Sequence, residues 1–149
     1  MGSNQIVRFP DVESDLPPLI PEGEYQLKLV SHATVIQFKT PRLALKFSIV
    51  DYNEYHGTVL YRYYNVVKLT SKAGTKGSCK HKARGDFMID YCTLLPNQHI
   101  TRLDRVPMEP LYQTVIVGKV RTVKRNNQQR VLPEQLQYSV VDSLLRVSE

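Results

Sequence analysis

Between Leu43 and Ile49 the sequence alternates without interruption: Leu43, Leu45, Phe47 and Ile49 are apolar, and Arg42, Ala44, Lys46 and Ser48 separate them. A period of two sends one set to each face of a β-strand, so this segment demands a sheet with one buried side. The neighbouring segments supply strands to match. From Glu24 to Phe38, Tyr25, Leu27 and Leu29 take one side, and Val35 and Ile36 follow a change of phase around Ser31 to Ala33. That pattern predicts a long strand bent partway along. Asp51 to Gly57 has turn chemistry, and Thr58 to Val67 is rich in the β-branched and aromatic residues that suit a half-buried strand.

One helix interrupts the series. Phe87, Met88, Tyr91, Leu94 and Leu95 fall on a single helical face, with Asp86 placed as N-cap and Pro96 as the stop. Residues 97 to 111 are irregular in pattern, with Pro107 and Pro110 limiting hydrogen bonding. A strand is predicted over Tyr112 to Lys124, a hairpin turn at Arg125-Asn126-Asn127, and a last strand over Gln137 to Val141 continuing toward Val147. The order is strand, strand, strand, helix, strand, strand. This is the order of the OB-fold, a five-stranded, partly open Greek-key barrel, and an all-β fold with one helix of this kind is the expectation. An SH3-like barrel and a β-sandwich accommodate the same elements.

At 149 residues the chain suits one domain with one core. The formal net charge of +6 conceals a division. Residues 1 to 24 set Arg8 against Asp11, Glu13, Asp15, Glu22 and Glu24, a net of −4, and the other 19 basic and 9 acidic residues give +10. Pro10, Pro17, Pro18 and Pro21 crowd the acidic part, so residues 1–21 read as an extended arm and residues 22–149 as the barrel domain. An acidic arm of this kind could fold back over a basic groove. The densest positive charge is Lys68, Lys72, Lys76, Lys80, Lys82 and Arg84, with no acid between them. The glycines, serines and threonines around them offer little surface to bury, which predicts a mobile basic loop over 68–84.

Several chemistries are disfavoured by inventory. Ala73-Gly74-Thr75-Lys76-Gly77 lacks the spacing of a phosphate-binding loop. Cys79, His81, Cys92 and His99 lack paired zinc-ligand spacing, and two cysteines make no disulfide framework, so no metal or other cofactor is expected. Asp86 and Asp90, one helical turn apart, are the pair that could hold Mg²⁺ for phosphodiester hydrolysis, but no further carboxylate or base accompanies them, and catalysis is not expected. No apolar stretch is long enough to span a bilayer and no leader pattern opens the chain, which favours a cytoplasmic protein without a membrane partner.

Binding suits the residues better. Arg42 and Lys46 lie on the polar face of their strand, with Lys39 just before. In Tyr61-Arg62-Tyr63-Tyr64, one register buries Leu60, Tyr64 and Val66 and turns Tyr61 and Tyr63 outward; the other buries Val59, Tyr61 and Tyr63. Lys119, Arg121, Lys124 and Arg125 add charge to the fourth strand and its turn, and Lys72, Lys76, Lys80, Lys82 and Arg84 add it from the loop. Cations that follow phosphates, interleaved with aromatic rings that stack on bases, form the pattern of sequence-tolerant single-strand binding.

On particular residues the chain resembles a phage- and plasmid-borne family of small OB-fold proteins associated with single-stranded DNA binding and recombination. They are Pro21-Glu22-Gly23-Glu24-Tyr25, Leu43 to Val50, and Tyr55-His56-Gly57-Thr58-Val59-Leu60-Tyr61, with weaker agreement over Tyr112 to Val123. The resemblance implies a non-enzymatic role in replication or recombination. The partners expected are single-stranded DNA, with RNA as the alternative, a second copy of the chain, and replication or recombination proteins. Many single-strand-binding proteins end in an acidic tail, whereas Leu144 to Glu149 holds one acid. The competing expectation is a protein-interaction module of a conjugation, replication or virion assembly.

Overall fold

The long first strand bends where its side chains change phase. In the computed structural model of the chain, which describes residues 16–148, β1 runs over Gly23–Gln37 and its pairing with β2 (Thr40–Ile49) shifts between Leu29 and Ser31. Val30 is displaced outward at this bulge and is exposed. Before it Tyr25, Leu27 and Leu29 face the core; after it Thr34 does. One extra residue thus turns odd positions inward on one side and even positions on the other. The β1–β2 link is a two-residue turn, Phe38-Lys39, with both residues at positive φ (51° and 65°). This is the backbone of a type I′ turn, whose twist matches that of the flanking strands.

β3 (Val59–Asn65) pairs with β2, and β7 (Val115–Val123) pairs with β1 on the opposite side and with β8 (Tyr138–Val147). The antiparallel strand order is therefore β3-β2-β1-β7-β8. The last strand is longer than its predicted minimum and reaches Val147. Leu27, Leu43, Leu45, Phe47, Ile49, Leu60, Ile116 and Val120 line the inner face and are almost wholly buried. Burying each such side chain contributes about 1.5–3 kcal/mol. The helix α1 (Asp86–Leu94) adds Phe87, Met88, Tyr91 and Leu94 to this core. Its N-cap is Gly85 rather than Asp86, because the chain enters the helix one residue earlier in extended conformation; Asp86 lies in the first turn. A short helix, α2 (Glu109–Tyr112), occupies part of the segment predicted to be irregular, with Pro110 in its first turn where no N–H is required. No helix among the described residues is long and apolar enough to cross a membrane.

The sheet is not closed into a barrel. Its edges, β3 and β8, share no ladder, and the side chain of Arg62 reaches across instead. Its Nη1 donates to the carbonyls of Val141 (3.5 Å) and Asp142, its Nε donates to the Tyr64 hydroxyl (2.7 Å), and its Nη2 pairs with Asp90 on α1 (3.2 Å). Tyr64 in turn donates to Asp90 (2.6 Å). Arg62, expected in the binding group, therefore faces inward.

Two further expectations change. The basic segment 68–84 is a paired excursion: β4 (Lys68–Leu69) and β6 (Cys79–Lys80) form a small ladder, and between them β5 (Gly74–Thr75) pairs with Ala33 and Thr34 of β1. Backbone pairing, with buried Cys79 and His81 at its base, orders a segment that has few apolar residues of its own. Gly77 permits the docking, since a Cβ there would collide with Thr34 Oγ1. The arm also ends sooner than expected. Pro18, Leu19 and Ile20 are buried, Ser139 N donates to Pro18 O (3.0 Å), and Ile20 N donates to Ser139 Oγ (2.9 Å), so the folded domain includes residues 18–21. Residues 1–15, with Asp11, Glu13 and Asp15, lie outside the described residues.

Asp90→Ala removes the carboxylate shared by Arg62 and Tyr64 and leaves a poorly solvated guanidinium. Urea denaturation is expected to show a loss of about 2–3 kcal/mol, well beyond the change of about 0.5 kcal/mol usual for a surface substitution.

Candidate nucleic-acid interface

The register of β3 decides which tyrosines are available. Leu60, Tyr64 and Val66 are buried, while Tyr61 and Tyr63 are 38% and 39% exposed on the outer face. Their rings stack, with centroids 6.0 Å apart and planes 19° from parallel. Across the β2–β3 ladder Lys46 stands opposite Tyr61, Ala44 opposite Tyr63, and Arg42 opposite Asn65. The alternation of two strands thus yields an outer strip of two phenols and two cations, with Ala44 buried between Arg42 and Lys46.

The strip continues toward the β1–β2 turn. Arg42 Nη1 donates to Gln37 Oε1 (3.2 Å), while among the described residues Arg42 Nε meets no acceptor. Lys39 and the 73%-exposed Phe38 form the tip beyond Gln37. Lys82 joins from the end of the basic excursion, where it lines a cavity of about 350 Å³ with Arg42, Tyr63 and Asn65. On the other side Tyr138, at the start of β8, lies close enough to Tyr63 to affect its ionisation. Burial first, then the phenols of Tyr61 and Tyr138, holds the Tyr63 hydroxyl above the usual tyrosine range, so it stays a neutral donor.

The structure gathers Arg42, Lys46, Tyr61, Tyr63 and Lys82 into one surface, with Lys39 at its rim. It sends the other sequence-selected cations elsewhere. Lys76 lines a cavity with His32, His81 and Asp104, and Lys80 lines another with Lys68 and Arg102. Lys72 is exposed near the far end of the excursion, and Arg84 is exposed just before α1. On the outer face of β7, Lys119 stands opposite Glu24, and Arg121 is held by Asp142 at 2.7 Å. Lys124 and Arg125 lie at the β7–β8 turn, where Arg125 donates to Gln129 O (2.9 Å). Tyr138 and Gln37 complete the surface and were missed in the sequence; the outward alternation of Tyr138 and Val140 along β8 was the available signal.

No family model, curated protein or solved structure matches the chain.

Two other clusters bear on chemistry. Asp90, half of the carboxylate pair considered for Mg²⁺, is engaged by Arg62 and Tyr64, whereas Asp86 is exposed at the start of α1. Among the described residues no group of three His, Cys, Asp or Glu side chains is placed to hold a metal ion. Cys79 Sγ lies 3.6 Å from His81 Nε2, and the His81 ring stacks on Phe87 with centroids 4.2 Å apart. Burial pushes the Cys79 thiol up to about 11 and the His81 imidazole down to about 4, so both are neutral near pH 7 and no thiolate–imidazolium pair forms.

That burial makes stability depend on pH. Unfolded His81 takes up a proton near its ordinary pKa of 6.5, whereas folded His81 does so only near 4. Its contribution is therefore complete above pH 6.5 and is lost as pH falls from 6.5 toward about 4. His32, lowered by burial and then by Lys76, acts in the same direction. In urea titrations the midpoint of the natural chain is expected to fall across this window, and His81→Phe is expected to flatten that fall.

Proposed function

We propose that the chain is a single-strand nucleic-acid-binding protein, DNA being the favoured ligand, built on an open barrel of the OB type. The strand order β3-β2-β1-β7-β8, with α1 between the third and fourth long strands, supports the fold reading. In such folds the outer face of the second and third strands and the loops beside it receive oligonucleotides. The observation that carries the reading is the stacked Tyr61–Tyr63 pair on that face, with Arg42, Lys46 and Lys82 around it. Phenol faces stack on any base, and flanking cations meet the phosphates whatever the sequence, which gives binding with little sequence preference. Duplex DNA suits the surface less well: its bases are stacked on one another, and α1, with Asp86 in its first turn and no basic residue in its last, offers no basic recognition helix.

The role is one of binding, with no reaction step assigned. Replication or recombination in a phage or plasmid setting is the context the sequence resemblance suggests, and a cytoplasmic location accords with it. A second reading, a protein-interaction module, draws on Ile36 and Phe38, exposed at 63% and 73% around the β1–β2 turn. Fluorescence anisotropy with labelled single-stranded DNA, RNA and duplex DNA separates the two. Binding to single strands supports the proposal, and no binding to any of them overturns it.

Two quantitative outcomes are expected. Neutralisation of about four phosphates by Lys39, Arg42, Lys46 and Lys82 gives a logarithmic salt slope of about −3, so affinity drops about 50-fold between about 50 and 200 mM salt. Tyr63→Ala, at a half-exposed strand position, is expected to weaken binding by about 5- to 150-fold, the equivalent of about 1–3 kcal/mol of stacking, with a stability loss in urea of about 1 kcal/mol, smaller than that of Asp90→Ala.

A further inference from the structure

The tyrosine strip is not open along its whole length. Where β3 approaches β8, the segment Leu16-Pro17-Pro18 borders a half-open cavity of about 430 Å³, which Lys46, Tyr61, Tyr63 and Tyr138 also line. That volume falls within the range of about 300–1,000 Å³ typical of sites that hold small ligands. The covering segment is anchored at its inner end: Ser139 N donates to Pro18 O, Ser139 Oγ accepts from Ile20 N, and the Ile20 side chain is sunk in the core, while Leu16 and Pro17 are exposed. The lining is largely apolar: the phenol rings of Tyr61, Tyr63 and Tyr138 share it with Leu16, Pro17, Pro18, Val59 and Val140. Lys46 supplies the cation among these residues.

We infer that this cavity is a base pocket: it takes one unpaired nucleobase between the Pro17-Pro18 segment and the tyrosines, with Lys46 on the adjoining phosphate. The inference rests on the single-strand binding proposed above and adds a fixed point to it. An apolar lining that carries three phenol rings suits the face of a base, and a single amine matches one phosphate rather than a polyanionic run. The cavity is continuous with the Tyr61–Tyr63 pair, so a strand lying on the outer face of β2 and β3 can leave one of its bases here. A base in a duplex can enter only after unstacking and unpairing, which costs a few kcal/mol, so the pocket discriminates against duplex by geometry. It also assigns a function to the N-terminal prolines, whose rigid backbone forms a wall that needs little ordering when a ligand arrives.

The test is an abasic scan on the full chain. A single-stranded DNA of about 12 nucleotides, within the usual span of such sites, is prepared with one abasic position at a time, and each affinity is measured by anisotropy. One position, or two adjacent ones, is expected to lose about 5- to 150-fold, with much smaller losses elsewhere. Tyr138→Ala, which opens the pocket from β8 without altering Arg42, Lys46 or Lys82, is expected to level the profile and leave the salt slope unchanged. A level profile in the natural chain, with the oligonucleotide still bound, overturns the base pocket while single-strand binding stands. A Tyr138→Ala profile as sharply peaked as that of the natural chain also overturns it. Failure to bind any single strand removes the underlying function and the pocket together.

Discussion

A guanidinium on the inner row of β3 is the constraint around which the other elements are arranged. Tyr61 and Tyr63 can face outward only if positions 60, 62 and 64 face inward, and position 62 is Arg. A cation there requires partners, because a poorly solvated charge is costly unless it is paired and hydrogen-bonded. Asp90 and Tyr64 take one side of the guanidinium, and the carbonyls of Val141 and Asp142 take the other. The same group therefore joins α1, β3 and β8, and it spans the gap where a strand ladder would otherwise have closed the sheet. It also brings Tyr138 and Val140 of β8 beside Tyr61 and Tyr63, so the candidate surface depends on a residue that takes no part in it.

Much of the architecture was legible because it followed local periodicity. The alternation from Leu43 to Ile49, the phase change in β1 and the helical spacing from Phe87 to Leu94 are each properties of a single segment. The register of β3 was not legible in this way. Tyrosines occupy both odd and even positions, and the deciding contact, Arg62 with Asp90, joins residues 28 apart in sequence. The inner end of the arm was obscured by its prolines: Leu19-Ile20 is an apolar pair, but only Ser139, 119 residues away from Ile20, shows why it is buried. The basic excursion misled for a related reason, since composition reports side chains and this segment is ordered through its backbone.

For the candidate site, sequence supplied the residue types and structure supplied their selection. The cations are spread along the chain, yet among the described residues those on the outer strip of β2, with Lys82 and Lys39 at its margins, are the ones that share a surface with Tyr61 and Tyr63. Arg121 is engaged by Asp142, and Arg125 is tied to its own turn. Of the six cations over residues 68–84, Lys68 and Lys80 line one cavity, Lys76 a second and Lys82 a third, while Lys72 and Arg84 are exposed elsewhere. A total of charge says little about a groove until the strand faces are known.

The pairing of the first described residues with the last strand has a consequence for synthesis. β1 takes half its support from β7, and Pro18 and Ile20 are held by Ser139, so the N-terminal part of the domain depends on residues near the end of the chain. On the ribosome, β1, β2 and β3 can form a meander, and β5 can then pair with Ala33 and Thr34, but the Gly23 to Lys28 part of β1 keeps an unpaired side until β7 emerges. Contacts this distant in sequence slow folding and leave an apolar sheet exposed in the interval. The nascent chain is consequently most vulnerable to aggregation between completion of β3 and arrival of β8. A truncation before residue 139 would lose not merely an edge strand but the closure of its own beginning.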